Sequence, residues 1–119
     1  MNELKAHLKA LAAADVVAFG GVGFTGETLP ETAAYFALAD QVARDPKAVR
    51  PHLDRLLDKA SPAGRVYAAT LLSAADPTAG QAAWQRLSRD LSPVRTMSGC
   101  IAGQTTLAQY AAGHLRRAG

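Results

Sequence analysis

DPKAVRPHLDRLLDKASPAGRVYAATLLSAADPTAGQAAWQRLSRDLSP, residues 45–93, is the stretch from which the fold is read. Within it Asp45-Pro46, Arg55-Leu56 and Ser61-Pro62 recur as Asp76-Pro77, Arg86-Leu87 and Ser92-Pro93, each displaced by 31 residues. Three dipeptides holding one offset suggest a repeated structural unit. Asp-Pro and Ser-Pro set an N-cap acceptor ahead of a proline whose missing N–H costs nothing at the first helical position. Each pair therefore opens a helix. After Asp45-Pro46, Val49, Leu53, Leu56, Leu57 and Ala60 mark one helical face; after Ser61-Pro62, Val66, Tyr67, Thr70, Leu71 and Ala74 mark another. Asp76-Pro77 then opens a third, carrying Ala83, Trp84, Leu87 and Leu91. The spacing predicts helices over 46–59, 62–75 and 77–90, packed as antiparallel neighbours, with Pro51 either kinking the first or delaying its start.

Within this pattern SPAGRVYAATLL, residues 61–72, resembles the second helix of a short HEAT-like repeat of the phycobilin-lyase type. The matching positions are Pro62, Arg65, Ala68, Ala69 and Leu72, and the resemblance covers about residues 45–91. A looser likeness holds to small bacterial helical proteins with a glycine-rich N-terminal stretch. These resemblances imply a fold and no activity.

Length and composition suit one small core. The chain has 119 residues, 49% hydrophobic and 19% charged, with aromatics at 6%. Alanine-rich helices pack closely, with Tyr35, Tyr67, Trp84 and Tyr110 as bulky core fillers. The single cysteine, Cys100, excludes an intramolecular disulfide framework and suits a reducing compartment. At the N-terminus Glu3, Lys5, His7 and Lys9 interrupt what would be a signal peptide's apolar region, so the segment reads as an amphipathic helix with Leu4, Leu8 and Leu11 inward. The longest uncharged run, Val16 to Gly26, is glycine-broken and too short to span a bilayer. These features point to a cytoplasmic protein without membrane contact.

Charge divides unevenly. Residues 1–59 hold seven Lys/Arg against eight Asp/Glu; residues 60–119 hold six arginines against two aspartates. Arg65, Arg86, Arg89, Arg95, Arg116 and Arg117 make phosphate binding conceivable on a helical scaffold, but there is no basic cluster with interleaved aromatics.

Two segments break the helical pattern. DVVAFGGVGFTGET, residues 15–28, contains Gly21-x-Gly23-x-x-Gly26, formally the dinucleotide fingerprint, and its GFTG core resembles the phosphate loop of saccharopine-reductase-like enzymes. A Rossmann frame then needs a helix, a second strand and an acidic residue about 20 positions on. Residues 40–60 are patterned as helix instead, so the segment reads as a glycine-rich turn leading to a capping box, Thr28-Leu-Pro-Glu31. In SPVRTMSGCIAGQTT, residues 92–106, Arg95-Thr96, Ser98-Gly99 and Gly103 spoil helix propensity where the repeat calls for another helix. Thr105 or Thr106 caps a last helix with Leu107, Tyr110, Ala111 and Leu115 inward.

Catalytic signals are thin. Cys100 near a helix N-terminus, with His52 or His114 as base, is the one nucleophile arrangement to consider, and no spacing joins them. The three scattered histidines and one cysteine show no metal-ligand spacing. Asp54 and Asp58 share a face with Arg50 and suit i,i+4 pairing. His114 belongs beside an apolar stripe, as a core or boundary histidine.

The expectation is an all-α fold of antiparallel helix pairs, a short HEAT-like α-solenoid or a compact bundle of about six helices, in a single helical-repeat domain spanning 1–119. Its expected function is a protein–protein interaction or adaptor module without catalysis. The alternatives are a small-molecule-binding or enzymatic domain using the glycine-rich loops, and a nucleic-acid-binding HEAT-like domain. No catalytic residue, cofactor or metal is assigned. Segments 19–26 and 98–105 are expected to meet in space, with Phe19, Gly21, Gly23, Phe24, Thr25, Cys100, Gln104 and Thr105 as contact residues.

Overall fold

The computed structural model describes residues 2–21, 26 and 28–118. Among these run six helices: α1 (Asn2–Ala12), α2 (Pro30–Arg44), α3 (Pro46–Lys59), α4 (Pro62–Ala75), α5 (Pro77–Leu87) and α6 (Leu107–Ala118). Three strands accompany them: β1 (Val16–Val17), β2 (Pro93–Ser98) and β3 (Ile101–Thr106).

The capping signals act as the sequence dictates. Asp45 accepts from the Ala48 amide, Ser61 from Gly64 and Asp76 from Thr78, and in each case proline follows at the first helical position. Helices α3 and α4 match the expected bounds; α5 stops at Leu87, where Ser88 and Arg89 turn the chain back toward Asp90. Pro51 lies inside α3, on its exposed side, so the helix starts on time and tolerates the missing bond. On α1 Leu11 is fully buried, with Leu4 and Leu8 packed against the same core.

Two expectations about architecture need correction. The fold is mainly α but not all-α, because 93–98 and 101–106 form an antiparallel hairpin to which β1 adds in parallel. The stretch after Ser92-Pro93 is rich in β-branched residues and lacks the alanines that follow Ser61-Pro62. Nor do the helices stack in line as in a solenoid, where each unit meets only its neighbours. Helix α4 is central: it packs against α1, α2, α3 and α5 and against β1 and β2. Its alanines make this feasible, with Ala63, Val66, Tyr67, Ala68, Ala69, Leu71 and Leu72 all buried. Gly80 lets α5 come close enough that a Cβ there would collide with Ser73 of α4.

The Thr28 capping box is also not formed. Helix α2 starts one residue later, with Leu29 at the N-cap and no side-chain cap, and Glu31 instead accepts from the Asp15 amide at 3.2 Å. By contrast Thr106 does cap α6, accepting from the Gln109 amide at 3.1 Å.

The hairpin turn is Gly99-Cys100, between the paired Ser98 and Ile101. Gly99 has φ +59° and Cys100 is not in the positive-φ region, the pattern of a II′ turn, whose twist suits the flanking strands. A two-residue turn makes its closing pair hydrogen-bonded, and pairs then alternate. Ser98·Ile101, Thr96·Gly103 and Val94·Thr105 therefore bond across the hairpin, while Ala102, Gln104 and Thr106 direct their N–H and C=O groups to the free edge. Pro93, opposite Thr106, falls on a non-bonded pair where its missing N–H is harmless.

Candidate functional site

The site begins with one buried hydroxyl. Tyr67 on α4 is fully buried, and its oxygen accepts from the Ala18 amide at 2.8 Å while lying 3.1 Å from the Val16 carbonyl and 2.9 Å from that of Ala18. Thr32 of α2, also fully buried, donates to the Ala18 carbonyl at 2.6 Å, and the single tyrosine proton is shared between the Val16 and Ala18 carbonyls. Burial raises the Tyr67 pKa, keeping the hydroxyl protonated for this role. Tyr67 and Thr32 thus hold Val16–Ala18 in place as a strand, and β2 adds beside it with Val16 opposite Arg95 and Val17 opposite Thr96.

Phe19 emerges from this anchor, 38% exposed, edge-on to Tyr35 at 4.9 Å and to Tyr67 at 5.3 Å between ring centroids. Beside it opens a cleft of about 420 Å³, walled by Phe19, Gly20 and Gly21 on one side, by Thr96 to Gly99 on the other, and by Tyr110 of α6. Through the parallel β1·β2 pairing Phe19–Gly21 face Thr96–Gly99 across this cleft, so of the expected segment 98–105 only Ser98 and Gly99 line it. The hydroxyls of Thr96, Ser98 and Tyr110 are the polar side chains of this lining, and burial raises the Tyr110 pKa. Such walls supply hydrogen bonds and apolar contact; among the described residues they hold no carboxylate, imidazole or amine to move a proton near neutrality.

The named contact residues are distributed as follows. Phe19 and Gly21 line the cleft. A Cβ at Gly21 would run into the Gly26 carbonyl, so the ends of the glycine fingerprint fold back on each other. Gly23, Phe24 and Thr25 lie outside the described residues. Cys100 is exposed in the hairpin turn rather than at a helix N-terminus. His52 and His114 sit on α3 and α6. Gln104 and Thr105 are on β3, away from the cleft: Gln104 is exposed, and Thr105 donates to the Gln109 side chain at 2.9 Å. Thr96 and Met97 line the cleft and were missed, because a strand that buries only Val94 leaves no alternating pattern to read.

The fingerprint's frame is likewise different from a dinucleotide fold: the element after α2 is α3, and the strand parallel to β1 arrives only at Pro93. Among the described residues no group of three or more His, Cys, Asp or Glu side chains is placed to hold a metal ion. No described helix is long and apolar enough to cross a membrane.

A second aromatic group lies on α5 and α6. His114 stacks on Trp84 with centroids 4.0 Å apart and planes at 5°, and Tyr110 stands 5.2 Å from His114. Desolvation, with Arg117 nearby, lowers the His114 pKa, so the ring is a neutral boundary residue. The arginines are partly engaged: Arg65 binds Asp90 at 2.9 Å and the Ala60 carbonyl at 3.1 Å, Arg86 pairs with Asp58, and Arg50 bridges Asp54 and Asp76. Of the six arginines of residues 60–119, Arg65 and Arg86 are thus paired with carboxylates.

What remains conspicuous is strand β3. From Ile101 to Gln104 every residue is exposed, the strand holds no charge and no proline, and Ile101 is 75% exposed. Compared with known proteins, the chain matches no family model, no curated protein and no solved structure.

Proposed function

We propose that the chain is a protein-interaction module without catalysis of its own, and that the β2–β3 hairpin is its contact element. The observation that carries this reading is the outer edge of β3, which no other strand covers among the described residues. An uncharged edge strand with open N–H and C=O groups is a template for pairing with another chain, and proteins that avoid such pairing blunt their edges with lysine, proline or a covering element. Neither lysine nor proline is present among residues 101–106. Helices α3 to α5, to which the HEAT-like resemblance applies, serve in this reading as the rigid body from which the hairpin projects.

The discriminating experiment is differential capture. Wild-type protein and the Ala102→Pro variant are immobilised in parallel and exposed to native lysate. Ala102 directs its N–H outward, so proline there removes an edge donor while leaving the hairpin's own bonds intact. The expected result is a protein retained by the wild type and lost by the variant. Identical capture by both would refute the edge as the contact element.

The cleft beside Phe19 favours a second reading, a small apolar ligand bearing one or two hydrogen-bonding groups. A thermal-shift screen of such compounds tests it, with Phe19→Ala as the variant expected to lose any stabilisation.

A further inference from the structure

The open edge is self-complementary, and we infer that its partner is a second copy of this chain, joined β3 to β3 across a twofold axis. The inference rests on the interaction reading above and names the occupant of the edge.

Three features carry it. First, the outward groups belong to Ala102, Gln104 and Thr106. An antiparallel pair centred on Gly103 sets Ala102 of each copy opposite Gln104 of the other, so two of these outward residues on each strand meet in hydrogen-bonded register. At the axis itself stands Gly103, which presents no side chain to its twin. Second, the strand is uncharged over 101–106, so two copies meet without like-charge repulsion. Third, the two most exposed large apolar side chains among the described residues bracket the strand. Ile101, 75% exposed, lies at its start. Leu91, 78% exposed, lies at its far end, where the Ser92 carbonyl accepts from Leu107 and the Asp90 carbonyl from Ala108. In this register antiparallel pairing sets Ile101 of each copy opposite Thr105 of the other, toward the Leu91 end of that strand, which gives Ile101 a covering neighbour. A parallel partner would leave them apart.

Pairing of six-residue strands buries little against the roughly 1,200–2,000 Å² of stable interfaces, so the dimer exchanges and depends on concentration. The product is a continuous sheet with both β3 edges satisfied.

Light scattering coupled to size exclusion, run over a concentration series, tests this. The expected mass rises from the 12.4 kDa of one chain toward twice that value in the wild type. Ala102→Pro is expected to stay at one chain's mass with unchanged helical circular dichroism and melting temperature at low concentration. Should that variant fail to fold, Ala102→Lys decides instead. It keeps the backbone donor but places an ammonium against position 104 of the partner, beside Arg95 on the same sheet face. A wild type that remains at one chain's mass throughout would overturn the self-pairing, and so would a dimer that survives a folded edge variant. Neither outcome touches the lysate comparison, so the broader interaction reading stands or falls separately.

Discussion

Replacing Tyr67 with Phe tests how the site is built, because it removes one oxygen and almost no volume. The ring contacts with Phe19 and Tyr35 survive, at centroid distances of 5.3 and 5.7 Å, so no cavity opens. What is lost is the acceptor for the Ala18 amide at 2.8 Å and the donor shared between the Val16 and Ala18 carbonyls at 3.1 and 2.9 Å, while Thr32 continues to serve the Ala18 carbonyl. Ala18 is 1% exposed, so water does not replace the acceptor. A buried donor left unsatisfied costs about 1–3 kcal/mol. For a domain of this size about 4 °C accompanies each kcal/mol, which gives a fall in Tm of about 4–12 °C by calorimetry or circular dichroism. The loss should also be local: amide exchange at Val17 and Ala18 should accelerate more than exchange in α4, because β1 is two residues long and keeps only the Thr32 bond to the Ala18 carbonyl as a buried side-chain anchor. A melting temperature equal to wild type would refute the claim that this hydroxyl holds the strand, and with it the account of how Phe19 is presented to the cleft.

Leu71→Ala empties a site that is 1% exposed beneath α4 and should cost roughly 2–5 kcal/mol in urea denaturation. Gly80→Ala should destabilise despite a helix-propensity gain of about 1 kcal/mol, because the new methyl meets Ser73; a stabilised variant would contradict the close α4–α5 approach. The His114 pKa is lowered by burial, so the unfolded chain binds the proton more tightly, and this contribution to stability is present above the ordinary value of 6.5 and is lost as pH falls below it. Denaturation midpoints measured across that window should fall with acid in the wild type and flatten in His114→Phe. Asp90, lowered by hydrogen bonds from Ser92 and by Arg65, adds a second loss at lower pH, as its carboxylate takes a proton below the ordinary value of 3.8; Arg65→Met should shrink that step.

The parts of the fold legible in the sequence are those whose causes are local. Asp45, Ser61 and Asp76 each satisfy an amide two or three residues ahead, so a dipeptide suffices to announce the helix. The sheet has no such local cause. Of the hairpin only Val94 enters the core, and β3 buries no side chain fully, so neither strand displays alternation of apolar and polar residues. Its remaining strand, Val16–Val17, pairs across four intervening helices. Of the expected meeting of 19–26 with 98–105, the approach of Phe19–Gly21 to Ser98 and Gly99 was foreseeable from two glycine-rich, helix-breaking segments. The agent of the meeting, a tyrosine hydroxyl on a helix between them, was not, because Tyr67 reads from sequence as a core filler and is one.

The same dipeptide opens a helix at Ser61-Pro62 and a strand at Ser92-Pro93, and the difference accounts for the small sheet and for its open edge. Ser61 accepts from Gly64 and donates to the Ala14 carbonyl at 2.6 Å, and the residues that follow, Ala63, Ala68 and Ala69 among them, favour helix and permit close packing. Ser92 is bonded differently. Its amide donates to the Asp90 carboxylate at 2.9 Å and its carbonyl accepts from Leu107, which closes the neck of the hairpin. Beyond it Val94, Thr96 and the Gly99 turn favour strand over helix, and the Val94 side chain alone is fully buried beneath the sheet. A further helix at this point would have satisfied its own backbone. A hairpin satisfies only one side of its second strand, so the departure from the 31-residue repeat is what leaves Ala102 and Gln104 with open hydrogen-bonding groups. Restoring helix there, by replacing Val94, Thr96 and Gly99 with alanine together, should therefore abolish edge-dependent association even if α1 to α5 remain folded. Association that persists in that variant would locate the contact on the helices instead.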